Sequence, residues 1–196
     1  MTEPGKSAHA HEAIAQPSAW VARFVHLIPA GEVLDLACGA GRHSRLLAAH
    51  GHAVLAADRN AESLALAAGE RIQIQQVDLE TGHPEQAWPF AENRFAGIVV
   101  VNYLHRPLWA RMIASLALDG ILIYETFALG NEQFGKPSNP DFLLRHGELL
   151  EIAAEYGLQV IAYEDGYIDS PKPAMVQRIC VIKARGRAKP EKLHLI

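Results

Sequence analysis

Hydrophobic and polar positions follow two periods along the chain, and each switch between them marks an element. Apolar Trp20, Val21, Phe24 and Leu27 recur at helical spacing over 18–27, with Ser18 as a good N-cap and Pro29 as the stop. A compact apolar run at 33–37 predicts a strand, and 42–50 predicts a helix that ends before Gly51. The same pair of signals then repeats. A strand over 52–57 closes at Asp58, a helix over 60–68 has Asn60 as N-cap and Gly69 as stop, and a strand over 71–77 closes at Asp78. Residues 79–94 read as a polar, Pro-containing loop. Residues 95–101 are the most apolar run of the chain and are rich in β-branched side chains, as a strand buried on both faces should be. A helix over 107–118, with proline near its start, and a strand over 121–126 continue the alternation. A long amphipathic helix is predicted over 141–156, and two strands, 158–163 and 175–183, follow with no helix between them.

Strands alternating with helices predict a three-layer α/β domain with a mostly parallel sheet and right-handed crossovers. The last two strands can pair as an antiparallel hairpin at the edge. With no internal repeat and no second hydrophobic unit, one domain over 18–184 is expected, between a flexible leader at 1–17 and a basic tail at 185–196. The length of 196 residues suffices for one buried core.

Composition narrows the function classes. The formal charge is −4 and the isoelectric point about 6.2. A chain built on phosphate contacts carries a basic balance, so this one argues mildly against a dedicated nucleic-acid binder while leaving room for a local basic patch. Cys38 and Cys180 form neither a disulfide framework nor a zinc ribbon, and the ten histidines lack metal-ligand spacing, so no metal is expected. No signal-peptide pattern and no bilayer-length apolar run occur, which makes the cytoplasm the expected compartment, with no membrane partner and a monomer or homodimer as the expected state.

The chemistry concentrates in Asp35-Leu36-Ala37-Cys38-Gly39-Ala40-Gly41-Arg42-His43. Gly39 and Gly41 lack Cβ and suit a tight turn that lets the backbone approach a ligand closely. The helix that follows offers its first amides to that ligand. The dinucleotide fingerprint is G-x-G-x-x-G, and the spacing here differs. Asp58, at the end of the second strand, is placed to accept both ribose hydroxyls of an adenosine. Asp58 and Asp78 also have local readings, as a helix cap and a turn cap. Cys38 reads as a small residue in a crowded turn rather than as a nucleophile.

The run from Asp35 to Ser44, with Asp58, Arg59 and Asn60 downstream, resembles motif I of the class I, Rossmann-like S-adenosylmethionine-dependent methyltransferases, and is similar to their tellurite-resistance-type branch. Ala37 stands where the first glycine of that motif is usual. The resemblance covers about residues 20–183 and implies the strand order 3-2-1-4-5-7-6 with strand 7 antiparallel. It implies S-adenosylmethionine as cofactor, held by Asp35, Ala37, Cys38, Gly39, Gly41, Arg42, His43, Asp58, Arg59, Asp78, Leu79 and Asn102, with S-adenosylhomocysteine as product. Asp78 and Leu79 would meet the adenine.

Methyl transfer from a sulfonium needs a nucleophile held in line, water excluded, and a proton removed where the acceptor carries one. The acceptor is expected at the ends of strands four and five, which makes Tyr103, His105 and Glu125 the candidate catalytic residues. His105 is of a type suited to general-base work, and could equally cap or pack beside the next helix. Arg106, Asn131, Phe134 and Lys136 are candidate acceptor contacts, the last three in a polar loop over 128–140 that is long enough for a lid. The segment after strand four lacks the Asn/Asp-Pro-Pro-Tyr/Phe signature of amino-methylating nucleic-acid enzymes. A small-molecule acceptor is therefore expected, ahead of RNA or protein and ahead of a non-catalytic nucleotide-binding module.

Overall fold

The computed structural model describes residues 16–82 and 87–184. The chain opens with helix α1 (Ala19–Phe24), prolonged by a 3-10 turn at Val25–Leu27, and continues through β1 (Glu32–Leu36), α2 (Arg42–Ala49), β2 (Ala53–Asp58), α3 (Ala61–Ala65), β3 (Ile72–Gln76) and β4 (Phe95–Val101). It then runs through α4 (Trp109–Ser115), β5 (Leu116–Phe127), α5 (Glu148–Glu155), β6 (Gln159–Ile168) and β7 (Ala174–Ile182). Most of the expected leader and all of the expected basic tail lie outside the described residues.

One seven-stranded sheet carries the order β3-β2-β1-β4-β5-β7-β6. The first five strands are parallel, and β7 runs antiparallel to both β5 and β6. The order and the reversed strand are those the resemblance implied. All seven residues of β4 are buried, which accounts for its uninterrupted apolar sequence. One face of the sheet is covered by α4 and α5 through Trp109, Met112, Ile113, Leu149 and Ile152. Trp20, Val21 and Phe24 of α1 and Leu47 of α2 cover the other. Ile28, just past the 3-10 turn, comes so near β4 that a Cβ on Gly97 would lie 2.7 Å from one of its methyls.

Four elements depart most from the periodic reading, β5 among them, since it starts at Leu116 and not at 121. The helix expected over 107–118 begins as a 3-10 turn at Arg106–Leu108 and ends at Ser115, because Leu116 already pairs with Phe95 in the sheet. The helix expected over 141–156 starts only at Glu148. Leu144 is drawn into an extended bridge with Ala128, and Gly147 turns the chain with φ 76°. Leu143 and Leu144, read as part of that helix, are buried instead in the extended segment that the bridge holds. β6, expected to stop at 163, runs on to Ile168, since Glu164 finds an ion pair with Arg178 of β7 and its polarity does not end the strand.

At the switch point between β1 and β4, the connections leave toward opposite sides. The crevice outside the carboxyl ends of these strands is where an open α/β sheet holds its ligand. The motif loop, Asp58, Asp78 and Asn102 all fall on that edge.

Candidate active site

The loop after β1 turns the chain by placing Ala37, Gly39 and Gly41 in the left-handed region, at φ 53°, 54° and 76°. The two glycines serve different needs. A Cβ on Gly41 would sit 2.5 Å from the Cβ of Ala67, so this glycine lets α2 close against the end of α3. A Cβ on Gly39 would meet nothing within 4 Å, so packing does not require a glycine there and its bare face is open. Ala37 adopts the same left-handed backbone with a side chain, at a steric cost glycine does not incur. Cys38 is buried, its thiol donates to the carbonyl of Gly39, and burial pushes its pKa up. That is the behaviour of a packing residue, not of a nucleophile.

Asp58 closes β2 and braces the loop. One carboxylate oxygen accepts the Gly39 N–H and the other accepts the Asn60 N–H, each at 2.8 Å. The helix cap itself is Asn60, whose side chain accepts the Ser63 N–H, so Asp58 braces the turn before the helix and does not cap it, and each of its oxygens keeps a further lone pair. Asp78 follows β3, and its side chain accepts the Glu80 N–H at 3.0 Å. Leu79 is buried beneath it.

These residues line a cleft of about 180 Å³. Its wall consists of Ala37, Asp58, Arg59, Val77, Asp78, Leu79, Glu80 and Tyr103. Three of these, Val77, Glu80 and Tyr103, were not among the expected cofactor contacts. Glu80 forms the rim with Arg59, at 3.2 Å. It also meets the Tyr103 hydroxyl, whose pKa is raised by burial and by that carboxylate. An acid two residues after Asp78 was the only sequence signal for it. The cleft is partly apolar and carries two carboxylates from adjacent strand ends, and the bare face of Gly39 lies beside it. That donor set suits a neutral ribose and a purine.

Other expected contacts lie beneath the cleft. Asp35 is 1% exposed and accepts from the Ser44 hydroxyl, which pins α2 onto β1. Burial raises its pKa to about 7, against the opposing pull of Ser44 and Arg42. His43 is 3% exposed, and its Nε2 accepts the backbone N–H of Ser18 at 3.0 Å. Burial, aided by the charge of Arg42, lowers its pKa to about 3. Arg42 opens α2, half-buried, within electrostatic reach of both Glu125 and Asp35.

At the ends of β4 and β5, Asn102 takes a left-handed turn with φ 59°, and its N–H donates to the Glu125 carbonyl at 2.9 Å. Its side chain is exposed at the edge. Tyr103 is half-buried against the cleft, and its carbonyl accepts from the Tyr124 hydroxyl. His105 precedes the 3-10 turn but makes no side-chain capping bond to it, which leaves its imidazole at the edge without that structural duty. Glu125 is engaged from several sides. Both oxygens accept from the Ser18 hydroxyl at 3.1 Å, and Arg178 approaches at 3.5 Å. Burial raises its pKa, opposed chiefly by Arg178.

The expected acceptor contacts divide. The Arg106 guanidinium is bidentate to Glu148, at 2.6 and 2.9 Å, and also donates to the carbonyls of Asp141 and Leu143. This arginine staples the 140–148 segment in place. Asn131 is 1% exposed and joins the Pro137 carbonyl to the Met175 N–H. It fixes the loop rather than facing a ligand. Phe134 is exposed and packs on Tyr167, with ring centroids 5.3 Å apart, and Lys136 is exposed on the same loop. Among the described residues, no group of three or more His, Cys, Asp or Glu side chains is arranged to hold a metal ion. No helix there is long and apolar enough to cross a membrane.

Residues 33–118, which contain the motif loop, both acids and β4, match the family described as methyltransferase domain. No curated protein matches the sequence. Among solved structures, TehB from Haemophilus influenzae aligns with TM-score 0.70 at 20% identity, over 85% of this chain and 62% of that one. This chain therefore spans less than two thirds of that protein. A SAM-dependent methyltransferase from Methanosarcina mazei aligns with TM-score 0.65 at 13% identity, over 86% of this chain and 99% of that one. Geranyl diphosphate C-methyltransferase from Streptomyces coelicolor, solved with Mg2+, geranyl diphosphate and S-adenosyl-L-homocysteine, aligns with TM-score 0.60 at 14% identity, over 91% and 81%. The chain has the class I, Rossmann-like fold of the S-adenosylmethionine-dependent methyltransferases, and its first four strands match their methyltransferase domain in sequence.

Proposed function

We propose that the protein is an S-adenosylmethionine-dependent methyltransferase acting on a small-molecule acceptor. The observation that carries the reading is the cleft at the carboxyl ends of β1 to β4, with Asp58 and Asp78 on its wall and Gly39 bare beside it. Bound there, the cofactor supplies an electrophilic methyl group on a sulfonium. Asp58 accepts the ribose hydroxyls with the lone pairs its two backbone bonds leave over. Asp78 takes the adenine amino group, and Leu79 and Val77 pack the ring. Arg42, at the start of α2, takes the cofactor's carboxylate, and Asn102 flanks the same end.

The acceptor enters between the ends of β4 and β5. Tyr103, whose hydroxyl meets the Glu80 carboxylate, walls the side of that entrance that faces the cofactor cleft. His105 removes a proton from acceptors that carry one. The loop over 128–140, anchored by Asn131, forms the outer wall and presents Phe134 and Lys136 to the acceptor. The acidic isoelectric point favours a metabolite over RNA.

Calorimetry tests the reading directly. S-adenosylhomocysteine should bind and NAD should not, and the reverse result would end it. Asp58→Ala should abolish binding. His105→Ala should keep cofactor affinity and lose turnover on an acceptor found by screening metabolites with labelled methyl donor, and unchanged turnover removes His105 from the mechanism.

A further inference from the structure

Two residues that the sequence placed in the site, His43 and Glu125, both point at one residue outside it. Ser18 gives its backbone N–H to His43 Nε2 at 3.0 Å and its hydroxyl to the Glu125 carboxylate at 3.1 Å. The same hydroxyl oxygen accepts the Trp20 N–H at 3.1 Å and so caps α1. The contacts continue along the helix. Arg178 stacks on Trp20 at 5.0 Å, pairs with Glu125 at 3.5 Å, and pairs with Glu164, which also meets Arg23 at 3.5 Å. α1 is thereby held to α2, β5, β6 and β7 together.

His43 is in the first turn of α2, two residues beyond Gly41. Glu125 is tied through its carbonyl to Asn102 at the end of β4. Ser18 therefore bridges the two elements that border the methionine end of the proposed cofactor site, one on each side of the β1/β4 crevice. We propose that Ser18 is a positioning residue for the cofactor: it latches α1 across the start of α2 and the end of β5, so that α1 docking and cofactor binding favour each other. This rests on the methyltransferase reading. A ligand that binds the latched state more tightly must, by linkage, also stabilise the latch. Undocking of α1 then sets the release rate. Both bonds of Ser18 end on partners with little freedom: a neutral, buried imidazole and a carboxylate fixed by Arg178.

The test uses the full chain and S-adenosylhomocysteine. Ser18→Ala keeps the N–H but loses the hydroxyl, and Ser18→Thr restores it. His43→Leu removes the acceptor, and His43→Gln supplies another. Affinity for S-adenosylhomocysteine should fall about tenfold in Ser18→Ala and His43→Leu, chiefly through faster dissociation, and recover in Ser18→Thr and His43→Gln. Amide exchange over 18–27 should be slowed by the ligand in the parent and much less so in the two defective variants. Unchanged affinity in Ser18→Ala, with faster exchange over 18–27, would show the latch to be structural only and overturn the coupling. A variant with both affinity and exchange unchanged would overturn the latch itself. A parent that does not bind S-adenosylhomocysteine would overturn the methyltransferase reading and the coupling with it, whereas a parent that binds alongside an unaffected Ser18→Ala overturns only the latch.

Discussion

At Ala37, Gly39 and Gly41 the backbone bends the same way, yet the three residues should respond differently to substitution. Ala37→Gly relieves the left-handed cost while adding chain entropy to the unfolded state, so the net gain in urea unfolding should be small, about 0.5 kcal/mol. Gly39→Ala places its methyl in open space and should cost about 1 kcal/mol of stability while weakening cofactor binding sharply. Gly41→Ala drives its methyl into Ala67 and should cost about 3 kcal/mol or more, a folding defect first. Asp35 and His43 make a second pair of residue-scale expectations, with opposite signs. The pKa of Asp35 is raised to about 7, so its contribution to stability is full below about pH 4 and is lost as pH climbs toward 7. The pKa of His43 is depressed to about 3, so its contribution is full above about pH 6.5 and is lost as pH falls. Between pH 4 and 6.5 the two slopes oppose each other. Urea unfolding of Asp35→Asn should therefore show stability rising with pH across that window, and His43→Gln should show it falling. Equal slopes in both variants would contradict these assignments.

Among the elements, the segment between β5 and α5 departs most from its sequence pattern, and Arg106 explains its shape. Three of its nitrogens reach Glu148 and the carbonyls of Asp141 and Leu143, so the residue organises irregular backbone that a helix would have satisfied internally. Arg106→Met should destabilise the fold by about 2 kcal/mol. That lies below the usual cost of breaking a fully buried pair, because a third of the arginine side chain faces water. The loss should appear as raised exchange over 140–148, with cofactor affinity kept. Were Arg106 an acceptor-binding residue alone, stability would not move. Elements of this kind mark where legibility in the sequence ended. The first four strands were readable because one period and one stop signal defined each, as at Asp58 and Asp78. Leu144, Glu164 and Arg178 were not readable in the same way, because their conformations answer to partners 14 or more positions away. Of the residues that line the cleft, Ala37, Asp58, Arg59, Asp78 and Leu79 were legible because they lie just past or at strand ends, whereas Val77 and Tyr103 carried no such signal. Glu80 and Ser18 were not legible either, having only a loop position and a helix cap to announce them.

For the whole molecule, the cleft draws residues from the ends of β1, β2, β3 and β4, so a ligand bound there bridges four strands. Binding to the folded state alone stabilises it by about 2.7 kcal/mol at a ligand concentration one hundred times Kd. For a domain of this size, 1 kcal/mol moves Tm by about 2–4 °C, so saturating S-adenosylhomocysteine should raise Tm by about 5–10 °C. Asp58 separates the two things that such a shift reports. Its carboxylate braces the Gly39 and Asn60 amides before any ligand arrives. Asp58→Ala should therefore lower Tm without ligand by several degrees, the cost of two unmet backbone donors at about 1 kcal/mol each. It should also erase the ligand-induced rise. A variant that melts early but still shifts by the full amount would mean that Asp58 shapes the loop and does not hold the ribose. A variant that melts as the parent does and loses the shift would mean the opposite, that the brace contributes nothing and the carboxylate acts only on the ligand. Both effects together are expected, because the same two oxygens face the loop on one side and the cleft on the other.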